Sequence, residues 1–271
     1  MLKNECLIYS KRLGLKSQSQ YRQTWDRFFK YAKNKLLYEI SKNTVWLFIE
    51  ELKKTKNKHG KLYSNSTINN NISVLKRSFN IAVENDWIAV NPVKVKKLPE
   101  NRVIPAFTLE EAELLLNELK DTPYYQIIRV AFNTGIRRTT LCNLEWKDVD
   151  FDDGIIHFKN KMNKKPRYVP FNDVVREILL ERSKIADISG KVFDVNAGYL
   201  TKVIKKVITK LGLNKDLRLH SIRHTFGTEM VRLHGVHIAQ KLLDHSEINT
   251  TMRYVDIRKK ELKEKVKDLA V

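Results

Sequence analysis

The residues of this chain that could do chemistry are cations, imidazoles and one late phenol. Arg137 closes the run Thr134-Gly135-Ile136-Arg137, and Lys161 opens the turn-rich stretch Lys161-Met162-Asn163-Lys164-Lys165-Pro166-Arg167. His220 and Arg223 stand three apart, and Tyr254 follows His245 by nine residues in the segment that starts at Leu243. A phosphodiester under attack builds negative charge on its non-bridging oxygens, and preorganised cations aimed at them supply much of the stabilisation. Arginine suits this task because its planar fork donates to two oxygens and stays charged. A spacing of three puts His220 and Arg223 on one face of a helix. There the imidazole can position an oxygen or assist proton transfer while the guanidinium clamps the same phosphate. His224, beside that face, reads as a structural, hydrogen-bonded histidine. A lysine at a hairpin tip can protonate a departing sugar oxygen. Lys161 is the candidate, with Lys159, Lys164 and Lys165 as competitors. Tyr254 is the nucleophile of the set. A phenol of pKa about 10 needs neighbouring cations that favour the phenolate. Its attack leaves a phosphotyrosine link that stores the bond energy, so no nucleotide cofactor is expected.

Other chemistries lack their residues. No Walker-type glycine loop and no carboxylate cluster suited to two metals occurs in the sequence. Cys6 and Cys142 are the only cysteines, too far apart for a zinc cluster and suited to a reducing cytosol. Neither a cofactor nor a metal is therefore expected. No run of 18 apolar residues and no signal-peptide pattern occurs, which points to a cytoplasmic protein with no membrane span. Lys and Arg number 51 against 31 Asp and Glu, for a net charge of +20. The first hundred residues carry 20 of these cations and only 8 of the anions. Such an excess favours a polyanion such as a nucleic acid as partner through counterion release.

The elements that must position these groups fall into two parts, within the reach of a 271-residue chain. Apolar stripes at helical spacing run over 17–33 (Tyr21, Trp25, Phe28, Phe29, Ala32), 44–52 (Val45, Trp46, Phe48, Ile49, Leu52) and 67–83 (Ile68, Ile72, Leu75, Phe79, Ala82). They predict a helical domain over 1–92, with Asn91-Pro92 breaking its third helix. The basic, proline-bearing stretch 93–106 reads as a linker. Thr108 with Glu111 is a capping-box signature that starts a new helix. Val149–Phe151, Asp152-Asp153-Gly154 and Ile155–Phe158 read as a hairpin, with Tyr168–Pro170 as a short third strand. Helical patterns resume at 174–180, 200–211, 222–233 and 238–243, and Gly235 is a helix stop. Residues 107–256 form the second domain. Leu262, Val266 and Leu269 predict an amphipathic tail helix within 257–271, too short to stand alone. The fold class expected is mainly α with a small antiparallel β-sheet.

Taken in order, these pieces resemble the tyrosine recombinases of the phage-integrase and Xer type, over roughly 107–256 and more weakly over the N-terminal helices. The resemblance rests on Thr134-Gly135-Ile136-Arg137, the hairpin Lys161, His220-x-x-Arg223, Leu243-x-His245 and Tyr254. It implies site-specific cleavage and rejoining of DNA through a 3′-phosphotyrosyl intermediate, for integration, excision or resolution. It makes Arg137 and Arg223 phosphate clamps, Lys161 the general acid, His220 a proton-transfer or positioning group, His245 a phosphate ligand and Tyr254 the covalent nucleophile. It further implies a core-DNA-binding helical domain, a C-shaped clamp around DNA, a homotetramer at synapsis and exchange of the C-terminal tail between protomers. With the chain starting close to the helical domain, no arm-binding domain is expected. Three departures stand out. Thr140 replaces the acidic residue often seen three places after the first arginine, Asp244 replaces the usual glycine before the second histidine, and the Lys161 turn is about one residue longer than the commonest form. A type IB topoisomerase uses similar chemistry, and a regulator that has lost catalysis would keep the fold. The compact size and the segment after Tyr254 speak against the first, and the complete set of six residues against the second.

Overall fold

The computed structural model describes residues 15–33, 35–57, 59–100, 105–159, 166–184, 190–244 and 248–254, with isolated positions in the first eleven. The chain divides into two compact units, residues 1–102 and 103–271.

The first unit is helical. Helices α1 (Leu15–Ala32), α2 (Lys42–Lys54) and α3 (Asn65–Glu84) follow the three apolar stripes. Ser41 and Ser64 cap α2 and α3 by accepting hydrogen bonds from the amides of Thr44 and Thr67, which satisfies donors that the first helical turn leaves open. Trp25, Phe28, Phe48 and Phe79 meet in a dry core, and the Trp25 Nε1–H donates to Ser78 Oγ at 3.0 Å. Trp46 is not part of it: the residue is 51% exposed, because Val45, Phe48, Ile49 and Leu52 already complete the buried face of α2. The third helix also ends before Asn91-Pro92. It stops at Glu84, where the Asn85 side chain caps the carbonyl of Ile81 and Asp86 turns to a positive φ of 56°. Asn91 instead donates from Nδ2 to the carbonyl of Lys76 and accepts from the Val93 amide. The stretch that follows packs on the helices. Val93 is buried, Val95 and Leu98 lie against the core, and the Asn69 side chain both donates to and accepts from the Leu98 backbone.

The second unit mixes helices with one small sheet. The Thr108–Glu111 capping box is formed in both directions at the start of α4 (Leu109–Leu119). Helices α5 (Tyr125–Thr134) and α6 (Arg138–Leu141) precede β1 (Val149–Asp150), β2 (Ile155–Lys159) and β3 (Pro166–Pro170). The strands pair antiparallel in the order β1-β2-β3. Ile156 pairs with Val169 and Phe158 with Arg167. Ile156 and Val169 are buried, so the pleat carries Arg167 on the same inward face, while Tyr168 between them is exposed. β3 begins two residues earlier than the Tyr168–Pro170 pattern predicts. Pro166 is tolerated there as the first residue of an edge strand. Helices α7 (Asp173–Ser183), α8 (Ala197–Lys210), α9 (Leu219–His234) and α10 (Val236–Leu243) complete the core, followed by a short α11 (Ile248–Thr251) and a 3₁₀ turn, Met252–Tyr254. Gly235, at φ 81°, ends α9 as expected. Helix α9 is central: it packs against α5, α8 and α10 and against the Tyr254 turn. The tail over 257–271 lies outside the described residues. No described helix is long and apolar enough to cross a membrane.

Candidate active site

Four of the six residues singled out above lie in the described structure, around one end of α9. Lys161 and His245 lie outside it.

Arg137 is placed by a glycine. Helix α5 stops at Thr134, and Gly135 reverses the chain at φ 60°, ψ 12°. A Cβ at this position would lie 2.4 Å from Cδ1 of Phe226, so conformation and space both call for glycine. The chain then buries Ile136 and presents Arg137 as the residue that opens α6. Gly135→Ala is expected to lose at least ~1–2 kcal/mol for the left-handed conformation alone. That corresponds to a melting temperature lower by about 2 °C or more, readable by calorimetry. An unchanged melting temperature would mean that the turn relaxes without cost.

Arg223 is buried on α9, at 6% exposure. Its Nη1 donates to the carbonyl of Gly135 at 2.7 Å, and its Nη2 donates to the carbonyl of Leu243. One side chain thus joins the Arg137 turn to the C-terminal end of α10. Burial, and then the charge of Arg137, lower its pKa to about 10, while Tyr254 acts in the opposite sense. It remains a cation at neutral pH. His220 lies one turn earlier on α9, with its ring edge-on to His224 at 4.6 Å. Partial desolvation, followed by the charges of Arg223, Arg137 and Arg138, pushes its pKa below the usual histidine value. At neutral pH His220 is therefore an uncharged imidazole among cations, and an arriving phosphate would raise its basicity. Arg137, Arg138, Thr201, Arg218, His220 and Arg223 line one cleft of about 340 Å³.

Tyr254 is buried, at 8% exposure, in a small cluster with Phe226 and Leu243. Its ring lies 5.3 Å from that of His224. It also covers Gly227 on α9, where a Cβ would come within 3.0 Å of Tyr254 Cζ. The absence of a side chain at Gly227 gives the phenol its seat. His224, itself buried, touches both His220 and Tyr254 through its ring.

Two further residues belong to this site. Asp244 ends α10, and its carboxylate pairs with Arg137 Nη1 at 3.5 Å and with Arg167 Nη1. The sequence held a signal for each. Arg167 shares the strand parity of the buried Val169, and Asp244 stands where the resemblance calls for glycine. Among the described residues, no group of three or more His, Cys, Asp or Glu could hold a metal ion.

Residues 105–261 match the Phage integrase family, and residues 1–98 match the Phage integrase SAM-like domain. The chain is 29% identical over 227 residues to a tyrosine recombinase XerC of Halalkalibacterium halodurans, covering 74% of this chain and 75% of that protein. It is 28% identical to a tyrosine recombinase of Thermosipho africanus over 98% of this chain and 97% of the other. Among solved structures, the Tn1549 transposon integrase in complex with transposon right end DNA superposes with a TM-score of 0.73 at 19% identity. That match covers 98% of this chain and 99% of the integrase.

Proposed function

The chain belongs to the phage integrase family, and from that premise we propose that it is a site-specific DNA recombinase of the Xer-like type. It breaks and rejoins double-stranded DNA with Tyr254 as covalent nucleophile. The observation that carries this reading is the convergence of Arg137, His220, Arg223 and Tyr254 on one end of α9, from segments more than a hundred residues apart. The tyrosyl oxygen attacks the scissile phosphorus, a 3′-phosphotyrosyl bond forms, and the 5′-oxygen leaves with a proton. Arg137 and Arg223 stabilise the charge that builds on the non-bridging oxygens. The neutral imidazole of His220 is suited to accept or relay a proton near that phosphate. Lys161 supplies the proton to the leaving oxygen, and His245 adds a hydrogen bond to the phosphate. Reversal of the same steps with a partner strand rejoins the DNA, so the tyrosyl ester conserves the bond energy. Residues 1–92 grip the core DNA, 93–106 link the two domains and 107–256 carry the chemistry.

The test has three steps: selection of bound duplexes from a random pool, trapping of covalent adducts on them, and a two-site exchange assay. An adduct to Tyr254 is expected to form in excess chelator, because the protein's own cations stabilise the transition state. Recombinants are expected once two sites are supplied. No adduct on any selected duplex would overturn the reading, as would cleavage that returns only with Mg²⁺. Relaxation of supercoils without exchange would point to a topoisomerase.

Four protomers assemble at synapsis, and the tail over 257–271 docks on a neighbouring protomer, a few residues beyond the nucleophile. Its stripe of Leu262, Val266 and Leu269 supports this, since so short a helix needs an apolar surface to be stable. Truncation after Arg258 is expected to leave single-site binding intact while weakening cooperative binding and recombination. Wild-type cooperativity and rate in the truncated protein would show that the tail folds back on its own domain.

A further inference from the structure

The C-terminal end of α10 holds three arginines at once. Its last helical carbonyl, that of Leu243, accepts from Arg223, and the carboxylate of the next residue, Asp244, lies between Arg137 and Arg167. Arg137 reaches it from the N-terminus of α6 and Arg167 from the inward face of β3. Asp244 adopts φ 54°, ψ 53°, a left-handed conformation that glycine takes without cost and most residues do not. Aspartate is among the few side chains tolerated there. The position thus carries a carboxylate where a glycine would serve the backbone better. A carboxylate and a phosphodiester offer arginine the same thing, two anionic oxygens able to accept a guanidinium fork. The side chains of Asp244 and Arg167 are each 20% exposed and that of Arg137 is 47% exposed, so the pair opens to solvent on the Arg137 side.

We propose that Arg167 is a further phosphate-contacting arginine of this site, and that the Asp244 carboxylate stands in the place of the DNA phosphate until DNA displaces it. This rests on the reading of Arg137 as a phosphate ligand. In the DNA-free protein the carboxylate keeps the two guanidinium groups facing each other despite their like charge. When a phosphodiester enters, it takes over both forks and Asp244 turns toward solvent. No covalent bond changes in the exchange. The resident anion lowers the affinity of the site for any competing oxyanion. The apparent dissociation constant rises as the inverse of the fraction of molecules in which the carboxylate is unseated. Seating in nine molecules of ten would cost about tenfold in affinity.

The experiment titrates the full chain with inorganic phosphate at low ionic strength, by calorimetry and by the shift of arginine side-chain N–H resonances. Asp244→Asn keeps the size of the side chain and removes its charge, and Asp244→Gly removes the side chain at a position where glycine is favoured. Both variants are expected to remain folded and to bind phosphate about tenfold more tightly than the parent. Arg167→Ala in the Asp244→Asn background is expected to abolish that gain. Unchanged or weaker phosphate binding in both folded Asp244 variants would overturn the role of the carboxylate. A gain that survives Arg167→Ala would overturn the assignment of Arg167. Phosphate binding requires no cleavage. A chain that behaves as expected in this titration but forms no Tyr254 adduct would keep this proposal and lose the recombinase reading.

Discussion

Tyr254→Phe is expected to abolish the covalent protein–DNA adduct while leaving DNA affinity within about threefold of the parent. The reason is where the phenol sits. Its ring fills the seat over Gly227 and packs on His224 and Leu243, and phenylalanine keeps every one of those contacts. Only the oxygen proposed to attack phosphorus goes. The measurement is denaturation-resistant adduct on a selected duplex, run beside a binding titration on the same duplex. Adduct of undiminished yield in the variant would remove Tyr254 as nucleophile. A large loss of binding would show that the hydroxyl serves structure rather than chemistry.

The two arginines are expected to fail in different ways. Arg137→Ala removes a half-exposed cation whose described contact is the Asp244 carboxylate. It should cost about 3 kcal/mol in the chemical step, roughly two orders of magnitude, with little change in stability. Arg223→Ala should lose a similar factor in rate and destabilise the fold as well. Its guanidinium is buried and satisfies the carbonyls of Gly135 and Leu243, and stranding buried acceptors costs ~1–3 kcal/mol each. Single-turnover cleavage on saturating DNA and thermal melting separate the two effects. Cleavage within about threefold of the parent in either variant would make that arginine structural. Equal melting temperatures for the two variants would contradict the anchoring role of Arg223.

Much of the local structure could be read from the chain because it is driven by periodicity and end signals. The stripes in 17–33, 44–52 and 67–83 mark the helices that bury them, with Trp46 the exception. It is apolar by type, but it sits one residue off the 45-48-49-52 face and stays in solvent. The capping box at Thr108 and the Asp-Asp-Gly turn before Ile155 fall where local hydrogen bonding and a positive φ require them. The stretch 93–100 could not be read in this way. Its proline and basic residues suggest a linker between the two parts, but they carry no sign that Val93 is buried or that Leu98 hydrogen-bonds to Asn69 of the helical unit. Those contacts are tertiary and leave no period in the sequence.

The candidate active site divides along the same line. Residue type and order alone single out Arg137, His220, Arg223 and Tyr254, because few side chains can clamp a phosphate or attack it. The sequence also determines that His220 and Arg223 share a face, since both lie within one helical turn. The tertiary structure decides the rest. Packing of α9 between α5 and α10 brings the Gly135 and Leu243 carbonyls to one guanidinium, 88 residues from Arg223 in one case and 20 in the other. The register of β3 turns Arg167 inward, and the left-handed end of α10 sets Asp244 between two arginines. Each of these depends on the separation and orientation of elements distant in the chain. Burial of the whole core sets those distances, and no local pattern encodes them.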